Sequence, residues 1–299
     1  MSNAREIRKV LVTGAAGRFG REVVQRLHAS GFEVRASDQK TTEDLPVPVV
    51  IEELSEDLAG IRLCEGMDAV VHLGNIPTSG LTDDQRTFNI NVRSNFNVYE
   101  GARQQGVRRV IFASSIQVIG GKSWIQPDEP NDVGFELPMS ERTRANPGNA
   151  YALSKQVGEE SLKFFCEMHG LEGIALRLPW LRSTAKHAQR SLRKHLSSRR
   201  PRMPDYAAWV FRSDAARLVE RCLQVELPGY RVYLPSSREN IEALPLETFY
   251  QRWYSGTKLS QPLETLDSLV DISTIVDELG WEPTPLQEAV RQMEASASR

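Results

Sequence analysis

Cysteine is scarce. Three cysteines in 299 residues, Cys64, Cys166 and Cys222, stand far apart with no Cys-x-x-Cys pair. That spacing argues for reduced, mostly buried thiols in a cytosolic protein rather than for disulfides. Histidine is nearly as rare: there are five, none at metal-ligand spacing, so no metal is expected. No apolar run approaches the length of a membrane span. The N-terminus lacks the charged-then-apolar order of a signal peptide, so the expected location is cytoplasmic, with no membrane partner. An excess of one charge is missing too. Lys and Arg number 37 against 39 Asp and Glu, leaving a net charge of −2, and nothing electrostatic points to nucleic acid. Internal repeats and low-complexity segments are also absent. What remains is a chain with 40% hydrophobic residues, long enough for one large domain or a core domain with a smaller one.

One stretch organises the rest: Lys9-Val-Leu-Val-Thr-Gly-Ala-Ala-Gly-Arg-Phe-Gly20. Val10, Leu11 and Val12 suit a strand buried on both faces of a parallel sheet. Gly14, Gly17 and Gly20 follow at spacing three and three, and a helical pattern then begins at Val23, Val24 and Leu27. A tight turn opening onto a helix leaves backbone N–H groups without intrahelical partners, and these favour a pyrophosphate. Phe32–Ser37 reads as a second strand ending at Asp38. An acid about 20 residues past such glycines can hold the ribose hydroxyls of an adenine dinucleotide. A glycine-rich turn that binds nothing would not need that order of strand, turn, helix, strand and acid.

Strand-like and helix-like stretches continue to alternate. Val49–Ile51 reads as a third strand, Leu58–Cys64 as a short helix, and Asp68–Leu73 as a fourth strand ending at Gly74-Asn75. Asp83–Gln105 reads as a helix, Arg109–Ala113 as a fifth strand running into Ser114-Ser115, and 121–149 as a long loop. A helix over Tyr151–His169 and a sixth strand over Gly173–Leu178 complete the pattern. It predicts an α/β fold, a doubly wound parallel sheet of Rossmann type with ligands beyond the strand carboxyl ends. The composition changes after Pro179. Residues 1–179 are therefore expected to form the dinucleotide-binding domain and 180–299 a smaller C-terminal substrate lobe, with helices at Asp214–Leu223, Pro245–Trp253 and Ser273–Leu279 and a strand at Tyr230–Leu234.

Tyr151 and Lys155, four apart at the start of a predicted helix, share one face. A tyrosine ordinarily ionises near 10. A neighbouring ammonium and a positive nicotinamide ring favour the phenolate, which can exchange a proton with a substrate hydroxyl while hydride moves to the cofactor. The lysine can also hold the nicotinamide ribose. Ser115, and less so Ser114, can hydrogen-bond the substrate oxygen at the strand end. A surface helix pair and ordinary turn serines are the plain alternatives.

These residues resemble the extended short-chain dehydrogenases/reductases, the NAD-dependent epimerase/dehydratase group, over nearly the whole length. The resemblance lies in Thr13–Gly20, in Val71–Gly74, in Asn89–Val92 with Asn97–Glu100, and in Ala113–Gly120. It extends to Tyr151 with Lys155 and to Glu278-Leu-Gly-Trp281 before Pro283. It implies catalysis by Ser115, Tyr151 and Lys155. It implies cofactor binding at Gly14, Gly17, Arg18, Phe19 and Gly20, at Asp38, and at Glu53 and Leu54, where an Asp is usual. Leu73, Gly74 and Pro179 join that set with Tyr151 and Lys155. Asn91 does so too, although within its helix it also reads as structural, as His72 does at its strand end. The substrate side falls to Asn75, Ser115, Gln117 and Trp180.

Departures narrow the reaction. Ile116-Gln117 replaces the acidic residues of the dehydratases, and Arg177-Leu-Pro-Trp-Leu181 replaces the usual pattern of sugar-nucleotide enzymes. Gly74-Asn75 and Trp209–Asp214 look similar to uronate dehydrogenases, which oxidise free sugar acids. The implied activity is NAD-dependent oxidation or epimerisation at a hydroxyl of a sugar-type small molecule. Asp38 favours NAD over NADP, although Arg18, Arg35 and Lys40 could offset it. A nucleoside-diphosphate-sugar epimerase and a non-catalytic dinucleotide sensor or scaffold remain open. The run Arg182–Arg202 suits either an anionic substrate group or a solvated segment. Helices 83–105 and 151–169 resemble those that pair in homodimers.

Overall fold

The computed structural model describes residues 6–121, 135–183, 207–286 and 288. Most of the basic run 182–202 and part of the loop 121–149 lie outside the described residues.

Strand β1 (Lys9–Thr13) is followed by α1 (Arg18–Ala29), β2 (Glu33–Asp38) and β3 (Val49–Ile51). Then come α2 (Ala59–Cys64), β4 (Ala69–His72), α3 (Asp84–Gln104), β5 (Arg109–Ser115), α4 (Ala150–His169) and β6 (Glu172–Leu178). The remainder holds β7 (Trp180–Arg182), β8 (Trp209–Phe211), α5 (Arg212–Gln224), β9 (Tyr230–Tyr233), α6 (Leu246–Trp253) and α7 (Ser273–Leu279). Seven strands form one sheet in the order β3-β2-β1-β4-β5-β6-β9. The pairs β1–β2, β1–β4, β2–β3 and β4–β5 are parallel, with Thr13 opposite Ser37 on one side and His72 on the other. Strand order reverses at β1, and that places the crevice of the doubly wound fold at the β1 and β4 carboxyl ends.

The sequence accounts for these elements locally. Val10, Leu11, Val12 and Ala69–Val71 are fully buried, as central parallel strands require. The Asp83 carboxylate caps α3 by accepting from Arg86 N at 2.8 Å, and α7 stops at Gly280 in the left-handed conformation. The expected strands and helices are present with ends shifted by a few residues. β7 and β8 are additional. They pair in parallel as a separate two-stranded sheet, Trp180 opposite Trp209 and Arg182 opposite Phe211.

The contacts divide the chain into two compact units. One runs to Ser114 and adds Leu153–Leu176 and Ala216–Val232. The other contains Ser115–Ala152, Arg177–Ala215 and the chain from Tyr233 onward. The first unit carries nearly all of the large sheet, and a buried cation helps to close it. Arg109, 1% exposed, pairs with Glu172 at 2.6 Å and donates to the carbonyls of Cys222 and Val225 at 2.5 and 2.7 Å. In the second unit Asp214 accepts from the Thr284 amide and hydroxyl at 2.8 and 2.7 Å, while Trp281 Nε1 donates to the Asp214 carbonyl at 3.0 Å. The closing Gly280-Trp281 segment is thus fastened to the start of α5.

Helices α2 and α3 meet backbone to backbone. A Cβ on Gly101 would lie 2.2 Å from the Gly60 carbonyl carbon, and one on Gly60 would lie 1.9 Å from the Asn97 carbonyl oxygen. Gly101→Ala is therefore expected to cost about 1–3 kcal/mol in urea unfolding. A loss below about 0.5 kcal/mol, the range of ordinary surface substitutions, would show that the contact relaxes freely.

Candidate functional site

The glycine turn is shaped by what it touches. Gly14 has φ +68°, and a Cβ there would lie 2.7 Å from the Leu73 carbonyl carbon and 2.8 Å from Gly74 N. A Cβ on Gly20 would lie 2.1 Å from the Gly14 carbonyl oxygen. Only hydrogen fits at either place. Gly17 begins α1 with no side-chain cap, and the first turn of the helix carries no acid. Gly17 and Arg18 are exposed and Phe19 half-buried. Uncapped N–H groups, open backbone and a first helical turn without an acid are the features a diphosphate needs. The residues present fit such a group.

At the end of β2, Asp38 Oδ2 accepts from Ala16 N at 3.0 Å, and Ala15 N donates to the Ser37 carbonyl at 3.0 Å. The acid therefore braces the glycine turn from the side. Arg35 is turned elsewhere: its guanidinium donates to the carbonyls of Leu63 and Glu65 at 2.7 and 2.8 Å. Glu53 takes Gln39 Nε2 at 2.5 Å and both donors of Ser55, and Leu54 is buried against the Gly74 backbone.

Lys155 is 3% exposed, and its ammonium donates to Asn75 Oδ1 and to the Ala113 carbonyl, both at 2.7 Å. Burial pulls its pKa down to about 7, and Glu159, one turn further along α4, opposes that shift. Leu73, Gly74 and Asn75 therefore touch the glycine turn on one side and the lysine on the other. Asn91 holds the next residue, accepting from Ile76 N at 2.8 Å and donating to the Ile76 carbonyl, and also donates to Ser154 Oγ at 3.0 Å. The Ser114 hydroxyl donates to Glu159 at 2.5 Å, an architectural bond in the interior.

Tyr151 lies one turn before Lys155 on α4 and is 5% exposed. Ser115 ends β5 at 6% exposure, and its Oγ accepts from Gln117 N at 3.1 Å, which leaves its hydroxyl hydrogen to donate. Gln117 Oε1 in turn accepts from Asn149 Nδ2 at 3.2 Å. Pro179 is buried between β6 and β7, and the Arg182 guanidinium lies 4.1 Å over the ring of Trp180. Among the described residues no cluster of three or more His, Cys, Asp or Glu side chains is arranged to hold a metal ion, and no helix is long and apolar enough to cross a membrane.

Comparison with known proteins gives the family and the fold. The model of the NAD dependent epimerase/dehydratase family matches residues 10–203. The chain belongs to that family. A uronate dehydrogenase of Pseudomonas putida is 32% identical over 173 residues, 57% of this chain and 60% of that enzyme, so the match spans about three fifths of the relative. An L-arabinose 1-dehydrogenase (NAD(P)(+)) of Haloferax volcanii is 29% identical over 74% of this chain and 84% of its own. The solved structure of MoeE5 in complex with UDP-glucuronic acid and NAD superposes with a TM-score of 0.69, covering 95% of this chain and 96% of its own, at 22% identity. That likeness establishes the shared fold of this family member.

Sequence reasoning passed over Thr13 and Asn95. His72 Nδ1 lies 2.8 Å from Thr13 Oγ1 and its Nε2 lies 3.0 Å from Asn95 Oδ1, all three side chains being buried. The available signal was Asn91 and Asn95, two amides four apart on a helix face that packs inward. Burial, followed by the Lys155 charge, pushes the His72 pKa down to about 3. An unfolded histidine titrates near 6.5. The unfolded chain therefore binds the extra proton between these values, so stability is full above about 6.5 and falls by about 1.4 kcal/mol per pH unit below it from this group alone. Urea unfolding is expected to show that slope, reduced in His72→Gln, while the His72 ring resonances stay neutral down to about pH 5. An imidazolium at pH 6 in the folded protein would contradict it.

Proposed function

We propose that this protein oxidises a hydroxyl of a sugar or free sugar acid, with NAD as the hydride acceptor. The observation that carries the reading is the Leu73–Asn75 segment, which joins a side-chain-free glycine turn to a buried lysine one turn past a tyrosine. When bound, NAD supplies the nicotinamide that accepts hydride. Gly14, Gly17, Arg18, Phe19 and Gly20 would hold its diphosphate, with Asp38, Glu53 and Leu54 toward the adenosine and Leu73, Gly74, Asn91 and Pro179 along the remainder. Asp38 excludes a 2′-phosphate by charge, and Arg35 is committed to Leu63 and Glu65, so the offset it could have offered NADP is gone.

Tyr151 takes the hydroxyl proton, Lys155 supplies positive charge and holds the ribose, and the Ser115 hydroxyl donates to the reacting oxygen. Gln117 and Trp180 face the substrate. We assign residues 1–179 to cofactor binding and 180–299 to the substrate as a division of labour. The sugar-acid preference rests on the likeness to the uronate dehydrogenase of Pseudomonas putida. Within the Gly74-Asn75 and Trp209–Asp214 segments that had suggested it, Asn75 contacts Lys155 and Asp214 contacts Thr284.

The assembly we favour is a homodimer in the cytoplasm. Phe96, Leu153, Phe164 and Met168 are exposed large apolar side chains on α3 and α4, and the first three line one open groove with Val157 and Ser161. A second copy presenting the same helix pair would cover this patch. Its three cysteines are free and buried, which suits a reducing compartment.

Purified protein with NAD and a panel of sugar acids and aldoses tests the activity. NADH formation is expected with at least one sugar acid, and Tyr151→Phe should lower kcat by about 10²–10⁴-fold with NAD binding retained. NAD binding without turnover on any member of the panel would favour the sensor instead. Phe164→Asp is expected to shift the sedimentation coefficient from dimer to monomer, and an unchanged dimer would remove this face from the interface.

A further inference from the structure

Between Lys155 and the glycine turn runs a chain of hydrogen bonds, buried at His72 and part-buried at its ends, with only one consistent direction. An ammonium can only donate, so Asn75 must present Oδ1 to it at 2.7 Å. The Asn75 Nδ2 then faces Asn95 Oδ1 at 2.9 Å, with the Gly74 carbonyl as its other acceptor at 3.0 Å. Asn95 Oδ1 also meets His72 Nε2 at 3.0 Å, so the ring proton must sit on Nε2. His72 Nδ1 is then bare and accepts from the Thr13 hydroxyl at 2.8 Å. The Thr13 oxygen is left to accept from Leu73 N and Gly74 N at 3.2 and 3.1 Å. Asn95 Nδ2 is buried without a hydrogen-bond partner, so this amide is kept for its oxygen alone.

We propose that Asn75 is a positioning residue for Lys155, and that Asn95, His72 and Thr13 fix the orientation of its amide. The inference rests on the assignment of Lys155 to the reaction under the proposed function. Asn75 follows β4 where its position in the chain had suggested a substrate contact, but both ends of its amide are engaged within the protein. Among the groups facing the ammonium are Asn75, the Ala113 carbonyl and the Phe112 ring 4.9 Å away, with the charge of Glu159 one turn further along α4 and His72 on β4; Tyr151 lies one turn earlier on the same helix.

Asn75→Asp tests this directly. An aspartate has no amide hydrogens, so Asn95 must turn to donate and His72 must move its proton to Nδ1. In the cofactor-free full chain, nitrogen-15 spectra are expected to show the His72 tautomer change from Nε2–H to Nδ1–H. Carbon-13 spectra at lysine Cε, assigned with Lys155→Arg, should show the Lys155 midpoint rise by about one unit or more toward the ordinary lysine range, as an adjacent carboxylate requires. Asn75→Leu and Asn95→Leu should both lower that midpoint, and in active enzyme lower kcat by about 10–100-fold with the sugar-acid KM within about threefold. Thr13→Ser, which keeps the hydroxyl, should restore wild-type behaviour that Thr13→Val loses. If the His72 tautomer and the Lys155 midpoint are the same in wild type and Asn75→Asp, the proposal fails, whatever the activity. If both move but no sugar substrate turns over in wild type, the frame stands and the proposed reaction fails. Should the Leu variants not fold, the Asn75→Asp and Thr13→Ser spectra still decide.

Discussion

A lysine ammonium almost wholly removed from water is the constraint on which the rest depends. Such a charge is costly to bury unless acceptors surround it. Here they are Asn75 Oδ1 and the Ala113 carbonyl, with the Glu159 carboxylate a helical turn away. Each acceptor sits at the carboxyl end of a central strand, β4 or β5. The lysine thus needs the sheet register, and α4 must cross the strand ends at one height to reach both.

The same strand ends explain the glycines. Gly14 packs on the Leu73–Gly74 peptide, and the Gly14 carbonyl leaves room only for hydrogen on Gly20. Thr13 draws the two sides together, because its hydroxyl oxygen receives the Leu73 and Gly74 amides. A turn narrow enough to bring α1 against β4 is also bare enough to accept a diphosphate. The packing requirement and the binding requirement are met by the same missing side chains.

Polar groups in this interior are ordered by exclusion rather than by strength. His72 lies within aromatic contact of Tyr99 and Phe112, and its neutral ring is the form that can both accept from Thr13 and donate to Asn95. Protonation would set two donors against one another at Thr13. The low pKa of the ring and the single direction of the hydrogen-bond chain are two expressions of one burial.

The sequence by itself determined the alternation of elements, the glycine turn, Asp38 at a strand end and the Tyr151–Lys155 spacing. Each of these is written in local terms: apolar period, turn chemistry, or a four-residue helical interval. It left β7 and β8 unseen, because they stand outside the run of alternating strands and helices and their pairing joins residues almost thirty positions apart. It did not show what Asn75 and Asp214 meet. Their partners, Lys155 and Thr284, lie 80 and 70 positions away, and only the folded chain decides which distant group an amide or a carboxylate meets. Local periodicity fixes where a side chain starts, whereas long-range packing fixes what it can reach.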